Sequence, residues 1–408
     1  MTTLITFIIV FGLIVFVHEL GHFTAAKIMK VGVKKFAFGF PPRLWSKKVG
    51  ETEYAINLIP FGGYVKLEGE DEDTEEVDTI IFEQKPAKDE KNERAKNSKR
   101  SLLDLKPGGL LLIFSAGVVM NIILAIVILW GLFMTGFKPI ELGQFSQKIY
   151  PGIDGTGGVK STVVVTVDDV EKNTPAAKEG LKKGDKIIKI DGKRVYFSGE
   201  VIQVVQSKIN QTGASVLLEI QRDGKISEKT LTTYKSKLKD RSGKDYEVNR
   251  IGIILETDGK LQAGPIIALK DAIISTWNIA KYTFIGILDL FGKLFTQFKL
   301  SENIAGPIGL VVVTDYFSHL GITAILQFIA ILSISVALFN ILPIPALDGG
   351  YIAFILAEVI TRKKLSLKVK NVINLIGFGA LITLMVVVTF RDFFTFEVGN
   401  YILKLFGR

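Results

Sequence analysis

"FVHELGHFTAAK", residues 16–27, lies in the first hydrophobic stretch of a 408-residue chain. Two histidines and a glutamate stand there among residues apolar enough to cross a bilayer. An ionisable side chain at the centre of a membrane helix costs roughly 2.5–3.5 kcal/mol on insertion scales. Three within residues 18–22 need a use, and H-E-x-x-H on a helix supplies one. Positions i and i+4 share a helix face, one turn apart, so both imidazoles can reach the same metal ion. His18 and His22 are then candidate zinc ligands. Glu19, between them, is the candidate general base for the attacking water.

Composition supports a membrane setting. Hydrophobic residues make up 48% of the chain and the mean hydropathy is +0.35, more apolar than an ordinary soluble domain. Four stretches have the ~20 mostly apolar residues that cross ~30 Å of hydrocarbon. They fall within residues 1–30, 108–137, 321–360 (interrupted near Pro343) and 372–391. The first has no basic leader and no small-x-small cleavage site, so it reads as a span and not as a removable signal.

The formal net charge is +9, with basic residues gathered in loops near 27–48 and 361–370. The positive-inside rule then places 31–107 and 361–371 in the cytoplasm and both termini outside. His18 falls about 14 residues into its span, or ~21 Å along a helix, in the cytoplasmic half of the bilayer. No aromatic-plus-basic module is present, so no nucleic-acid partner is expected. The absence of cysteine excludes disulfides, thiol catalysis and thiolate metal sites.

Between the spans the pattern changes. Residues 36–69 alternate β-formers with Gly and Pro and predict two or more short hairpins. Two placements suit them: beside the active site at membrane depth, lining a cavity, or in a small cytoplasmic sheet. Residues 68–100 turn acidic and then lysine-rich, a solvated linker closing the 31–107 region. Residues 158–240 contain "STVVVTVDDV", "DKIIKIDGKRV" and "SVLLEIQRDGK" as strands and "FSGEVIQVVQSKI" at helical spacing, a small α+β domain on the outer side. Within 264–320, residues 271–298 have a 3–4 apolar spacing broken by Asp271, Lys281, Asp289 and Lys293. That predicts an amphipathic helix, on the outer membrane surface or packed under the soluble domain, and not a fifth span.

A catalytic zinc takes three protein ligands and keeps one position open. His319, the remaining histidine, falls on the outer side and reads as a surface residue. "FNILPIPALDGG", residues 339–350, offers a better third ligand. Pro343 and Pro345 must interrupt the helix. Asp348 follows the break at about the depth of His18, and the two sites meet if spans one and three are neighbours. Asn340, on the same segment, either holds substrate backbone and the developing oxyanion or makes a helix–helix hydrogen bond.

HELGH (18–22) together with NILPIPALDGG (340–350) resembles the site-2 protease family of intramembrane zinc metalloproteases, peptidase family M50. "ETEYAINLIPFGGYVKLEG" (51–69) resembles the family's membrane-associated β-loop, "SAGVVMNIILA" (115–125) its second-span A-G-P-x-x-N motif, and "IAGPIGLV" (304–311) its G-P-I element. "VEKNTPAAKEGLKKGDKIIKIDGKRV" (170–195) resembles the PDZ domain of the bacterial branch that includes the sigma-E regulator protease. Val118 departs from the second-span proline, and Pro41 from a β-loop glycine.

The resemblance implies that His18, His22 and Asp348 bind Zn2+, that Glu19 is catalytic and that Asn340 assists. The implied fold is a polytopic α-helical membrane protein with about four transmembrane helices, a membrane-associated β-hairpin region and one inserted extracytoplasmic α+β PDZ domain. The implied location is a bacterial plasma membrane. Implied partners are single-span membrane protein substrates, such as anti-sigma factors or signal-peptide remnants, and a peptide or protein ligand of the PDZ domain. Two other classes compete: a catalytically silent PDZ membrane scaffold, disfavoured by the intact Glu19, and a metal transporter, disfavoured by the few further ionisable residues in the spans.

Overall fold

The computed structural model describes residues 2–69, 100–142, 146–208, 213–239, 245–297 and 306–395. The chain divides into two compact units. One comprises residues 1–125, 289–318 and 329–392, the other 126–288, 319–328 and 393–408.

The first unit begins with helix α1 (Thr2–Ile28) and two strands, β1 (Val33–Val49) and β2 (Thr52–Leu67). Helix α2 (Pro107–Thr135) follows and carries residues of both units. In the second unit a six-stranded antiparallel sheet is built from β3 (Val164–Val170), β4 (Lys186–Ile190), β5 (Ser215–Arg222), β6 (Lys225–Thr232) and β7 (Ile253–Asp258), with a two-residue strand beside β4. The helix α3 (Ser198–Ser207) lies between β4 and β5 in the chain. Helices α4 (Pro265–Gln297), α5 (Pro307–His319), α6 (Ile322–Ile341), α7 (Asp348–Thr361) and α8 (Leu367–Thr395) complete the chain.

Four helices among the described residues are long and apolar enough to cross a membrane: Thr3–Ile28, Pro107–Thr135, Ile322–Ile341 and Lys368–Phe393. The stretch expected as one interrupted span, 321–360, is two helices, α6 and α7, with a break from Leu342 to Leu347. Pro343 and Pro345 remove two amide donors there, and helical hydrogen bonding cannot continue. Residues 271–297 belong to the single helix α4, which is not one of the four. Phe298, the 70–99 linker and the start of "IAGPIGLV" lie outside the described residues.

Polar atoms hold the helical unit together. The Gly309 amide donates to the buried Asp392 carboxylate at 2.8 Å, so α8 caps the start of α5. Ser333 Oγ donates to the Asn121 carbonyl at 2.9 Å and ties α6 to α2. A Cβ on Gly21 would come within 2.4 Å of the Ala116 carbonyl oxygen. Glycine therefore lets α1 and α2 approach almost backbone to backbone.

Two or more short hairpins were expected over 36–69; the structure has two long, bent strands. Val33–Phe38 pairs with the far end of β2 (Val33↔Leu67, Phe38↔Gly63) and also with its near end (Phe36↔Tyr54). Arg43–Val49 forms the tip with Thr52–Asn57. Bends at Gly39 and Gly62, with φ of 81° and 95°, let the two strands fold over. Phe36 packs edge-on against Phe16 and Phe23 of α1, with centroids 5.8 and 5.3 Å away.

The sheet of the second unit has the order β7-β3-β4-β5-β6. Its edge strand β7 comes from beyond residue 240, where the sequence pattern ended the domain. Antiparallel pairing joins segments distant in the chain, and no local signal announces that partner. Val165, Val167, Ile187, Ile190, Leu218 and Ile220 share one buried cluster with Val201 and Val205 of α3. Glu141 caps α3 by accepting from the Ser198 and Gly199 amides at 3.2 and 3.0 Å.

Candidate metal centre

His18 and His22 project from one face of α1, as the i, i+4 spacing requires. Their Nε2 atoms are 3.2 Å apart, and Asp348 Oδ2 lies 3.0 Å from one and 3.2 Å from the other. All three residues are mostly buried. Zinc bonds of about 2.0–2.2 Å at tetrahedral angles hold their ligand atoms ~3.3–3.5 Å apart. The observed triangle is close to that, and two nitrogens with one carboxylate oxygen are donors zinc accepts. Asp348 Oδ2 is buried with the two ring nitrogens as neighbours, and a cation among the three atoms would satisfy it.

The break before α7 places the carboxylate. Asp348 is the first residue of α7, and Ala346 turns the chain with a φ of 71°. A Cβ on Gly349 would stand 2.0 Å from the Leu342 carbonyl oxygen, and one on Gly350 2.6 Å from that of Ile344. Only glycine lets the chain double back so tightly. Helix α8 supports the turn: Asn374 Oδ1 accepts from the Ala346 amide at 3.2 Å, and Gly377 lies against Pro345. Phe114 of α2 stacks on Tyr351 of α7 at 4.8 Å.

Helix α2 forms a further wall that the sequence reading had not assigned to the site. A Cβ on Gly117 would sit 2.4 Å from His22 Nε2 and 2.6 Å from His18 Cε1. Asn121, one turn later on the same face, is fully buried with its amide nitrogen 3.4 Å from His18 Nδ1. The Ile113 carbonyl accepts from His22 Nδ1 at 2.8 Å, which leaves Nε2 with its lone pair. The signal was present in "SAGVVMNIILA", where glycine and asparagine are four residues apart, but nothing local says which neighbour that face meets.

Glu19 is half-buried beside the histidines. A Cβ on Gly63 of β2 would meet Glu19 Cγ at 3.0 Å and the Ala37 carbonyl oxygen at 2.9 Å, so the hairpin backbone runs alongside the glutamate. Asn340 is half-buried in the last turn of α6 and makes no hydrogen bond to the histidines or Asp348 among the described residues. His319 ends α5 and is not part of the cluster.

Two imidazoles one turn apart, a carboxylate from a broken helix and a glutamate alongside, carried on apolar helices, are groups that could hold a metal ion and serve a hydrolase. The profile of Peptidase family M50 matches residues 6–384. A protein of Clostridium perfringens that carries a zinc metalloprotease name is 30% identical over 387 residues, 94% of this chain and 96% of that one. The zinc metalloprotease RasP of Geobacillus kaustophilus is 29% identical over 431 residues, covering 96% and 97%. The regulator of sigma-W protease RasP of Bacillus subtilis is 29% identical over 450 residues, covering 96% and 98%. The chain belongs to peptidase family M50, the site-2 proteases. It is a zinc metalloprotease.

Proposed function

We propose that His18, His22 and Asp348 hold the zinc, that Glu19 is the general base, and that the enzyme cuts peptide bonds within transmembrane segments of single-span membrane proteins. The triangle of 3.0–3.2 Å among the three ligand atoms carries this reading. Held by these three residues, zinc would supply a Lewis acid that lowers the pKa of the attacking water to about 7 and polarises the scissile carbonyl. Glu19 takes the proton from that water and delivers it to the leaving amine. The Asn340 amide donates to the carbonyl oxygen as negative charge develops. An unwound substrate segment lies along the β1–β2 hairpin, whose backbone borders Glu19.

Leu44, Trp45, Val49 and Leu58 are exposed near the hairpin tip beside Arg43, Lys47 and Lys48. That mixture suits a hairpin seated at the cytoplasmic interface. In this topology the protein is a multi-pass protein of a bacterial plasma membrane, with both termini and the inserted domain extracytoplasmic and the centre in the cytoplasmic half of the bilayer. The inserted sheet acts as a PDZ domain. An extended peptide or protein ligand adds to edge strand β7 beside α3, where Ile254 and Ile202 are exposed. Suitable substrates are anti-sigma factors or signal-peptide remnants.

The test is zinc per chain in detergent-purified protein, wild type beside Asp348→Ala. One zinc in the wild type and weakened retention in the variant is expected. Equal retention would remove Asp348 from the site.

A further inference from the structure

The two histidine rings are held differently. His22 Nδ1 meets a backbone carbonyl, which can only accept, so its proton is on Nδ1 and Nε2 is free for a metal. His18 Nδ1 meets a side chain, the Asn121 amide nitrogen at 3.4 Å. Asn121 is 0% exposed, and its Oδ1 is buried with no hydrogen-bond partner. An unsatisfied buried acceptor is destabilising.

An NH2 group can bond to Nδ1 only if Nδ1 carries the lone pair. The ring proton then sits on Nε2, the atom aimed at Asp348 and His22. A cation at the centre requires the opposite tautomer, with Nε2 bare and Nδ1 protonated, and donor would then face donor. A half-turn of the amide exchanges its oxygen and nitrogen with almost no change of shape. That turn gives His18 Nδ1–H an acceptor and Oδ1 a partner, and carries the NH2 group to the place the oxygen leaves.

We propose that Asn121 is the positioning residue for His18: its Oδ1 accepts the Nδ1 proton and fixes the tautomer that directs Nε2 to the metal. The inference rests on the proposed role of His18 as a ligand. It pairs a side-chain acceptor on His18 with the backbone acceptor that Ile113 supplies to His22. The surroundings hold the amide at that distance. The backbone carbonyl of Asn121 accepts from Ser333 of α6, and α2 is pressed against α1 where Gly21 meets Ala116. Gly117, one turn earlier, leaves the space into which the two rings fit.

Zinc affinity of the full-length protein in detergent, measured by chelator competition, tests the assignment. Asn121→Leu keeps the size and removes the acceptor; its affinity should fall about 10–100-fold, as for other partners of metal-bound histidines. Asn121→Asp keeps an acceptor and should bind zinc at least as tightly as wild type. With Co2+ in place of Zn2+, the visible absorption of Asn121→Asp should follow wild type and that of Asn121→Leu should differ. Wild-type affinity in Asn121→Leu overturns the inference. So does equal loss in the Leu and Asp variants, which marks a packing role. Asp348→Ala, run alongside, separates the two readings. If it weakens zinc and Asn121→Leu does not, only the Asn121 inference fails. If it binds zinc as wild type does, the metal site as proposed fails and this inference with it.

Discussion

The helical unit and the inserted sheet domain are built on opposite plans. In the sheet domain the buried cluster is mostly valine, isoleucine and leucine, while polar residues such as Glu228 and Thr230 face out. In the helical unit Leu4, Ile9, Ile376 and Phe378 are all more than half exposed, whereas His18, His22, Asn121, Ser333 and Asp392 are buried. The difference follows the solvent. In water, burying apolar area stabilises by roughly 25 cal/mol per Å². In lipid that gain vanishes, because the surroundings are as apolar as leucine, and close backbone approach and polar contacts hold the helices together. A buried polar group is a hazard in the sheet core. In the helical unit it is structural material, and some of it is placed where it can do chemistry.

The contrast can be tested at its strongest point first. Glu19→Gln should retain zinc and cut a single-span substrate about 10²–10⁴-fold more slowly. Cleavage at the normal rate would leave the half-buried glutamate without its role. Gly117→Ala comes next. Alanine is a better helix former than glycine, so a soluble surface helix would gain from the change. Here the methyl lands 2.4 Å from His22 Nε2, and zinc affinity and cleavage should both fall by at least ~10-fold while helix content is unchanged.

Apolar truncations should then separate the two units. Ile187→Ala, at 0% exposure in the sheet core, should cost about 2–5 kcal/mol of domain stability in denaturant unfolding. Phe378→Ala, 55% exposed on α8, should change stability in detergent by less than about 0.5 kcal/mol. A large loss there would mean that face is covered by protein and not lipid.

The smallest effect concerns pH. Burial alone would raise the Asp185 pKa, but the Arg222 guanidinium and the Lys182 amide hold it below the usual carboxylate value. A lowered folded pKa contributes stability above the unfolded value of about 3.9, and loses it as pH falls through the folded value. The domain should therefore weaken on acidification through that window. Asp185→Asn should flatten the acid limb of a melting-temperature profile.

Parts of this protein are legible residue by residue. The H-E-x-x-H at 18–22 and the Pro-x-Pro break before Asp348 are local patterns, and local backbone rules turn them directly into a helix face and a helix end. Four apolar stretches of spanning length likewise need no knowledge of their neighbours. The course of β1 and β2 was read less well, since Gly39 and Gly62 announce bends but not which strands the bends bring together. Strand β7 was missed as part of the sheet because its partner lies across the whole domain in sequence.

By itself the sequence determined that two imidazoles share one face of an apolar helix and that a carboxylate stands at a helix break, because both follow from backbone geometry within a few residues. Only the tertiary structure decided that Asp348 Oδ2 closes a triangle with the histidines. It also decided that Gly117 makes the room and that Asn121 faces His18 Nδ1. Those contacts depend on which helices become neighbours, and that is set by the summed packing of the whole unit, which no short stretch encodes.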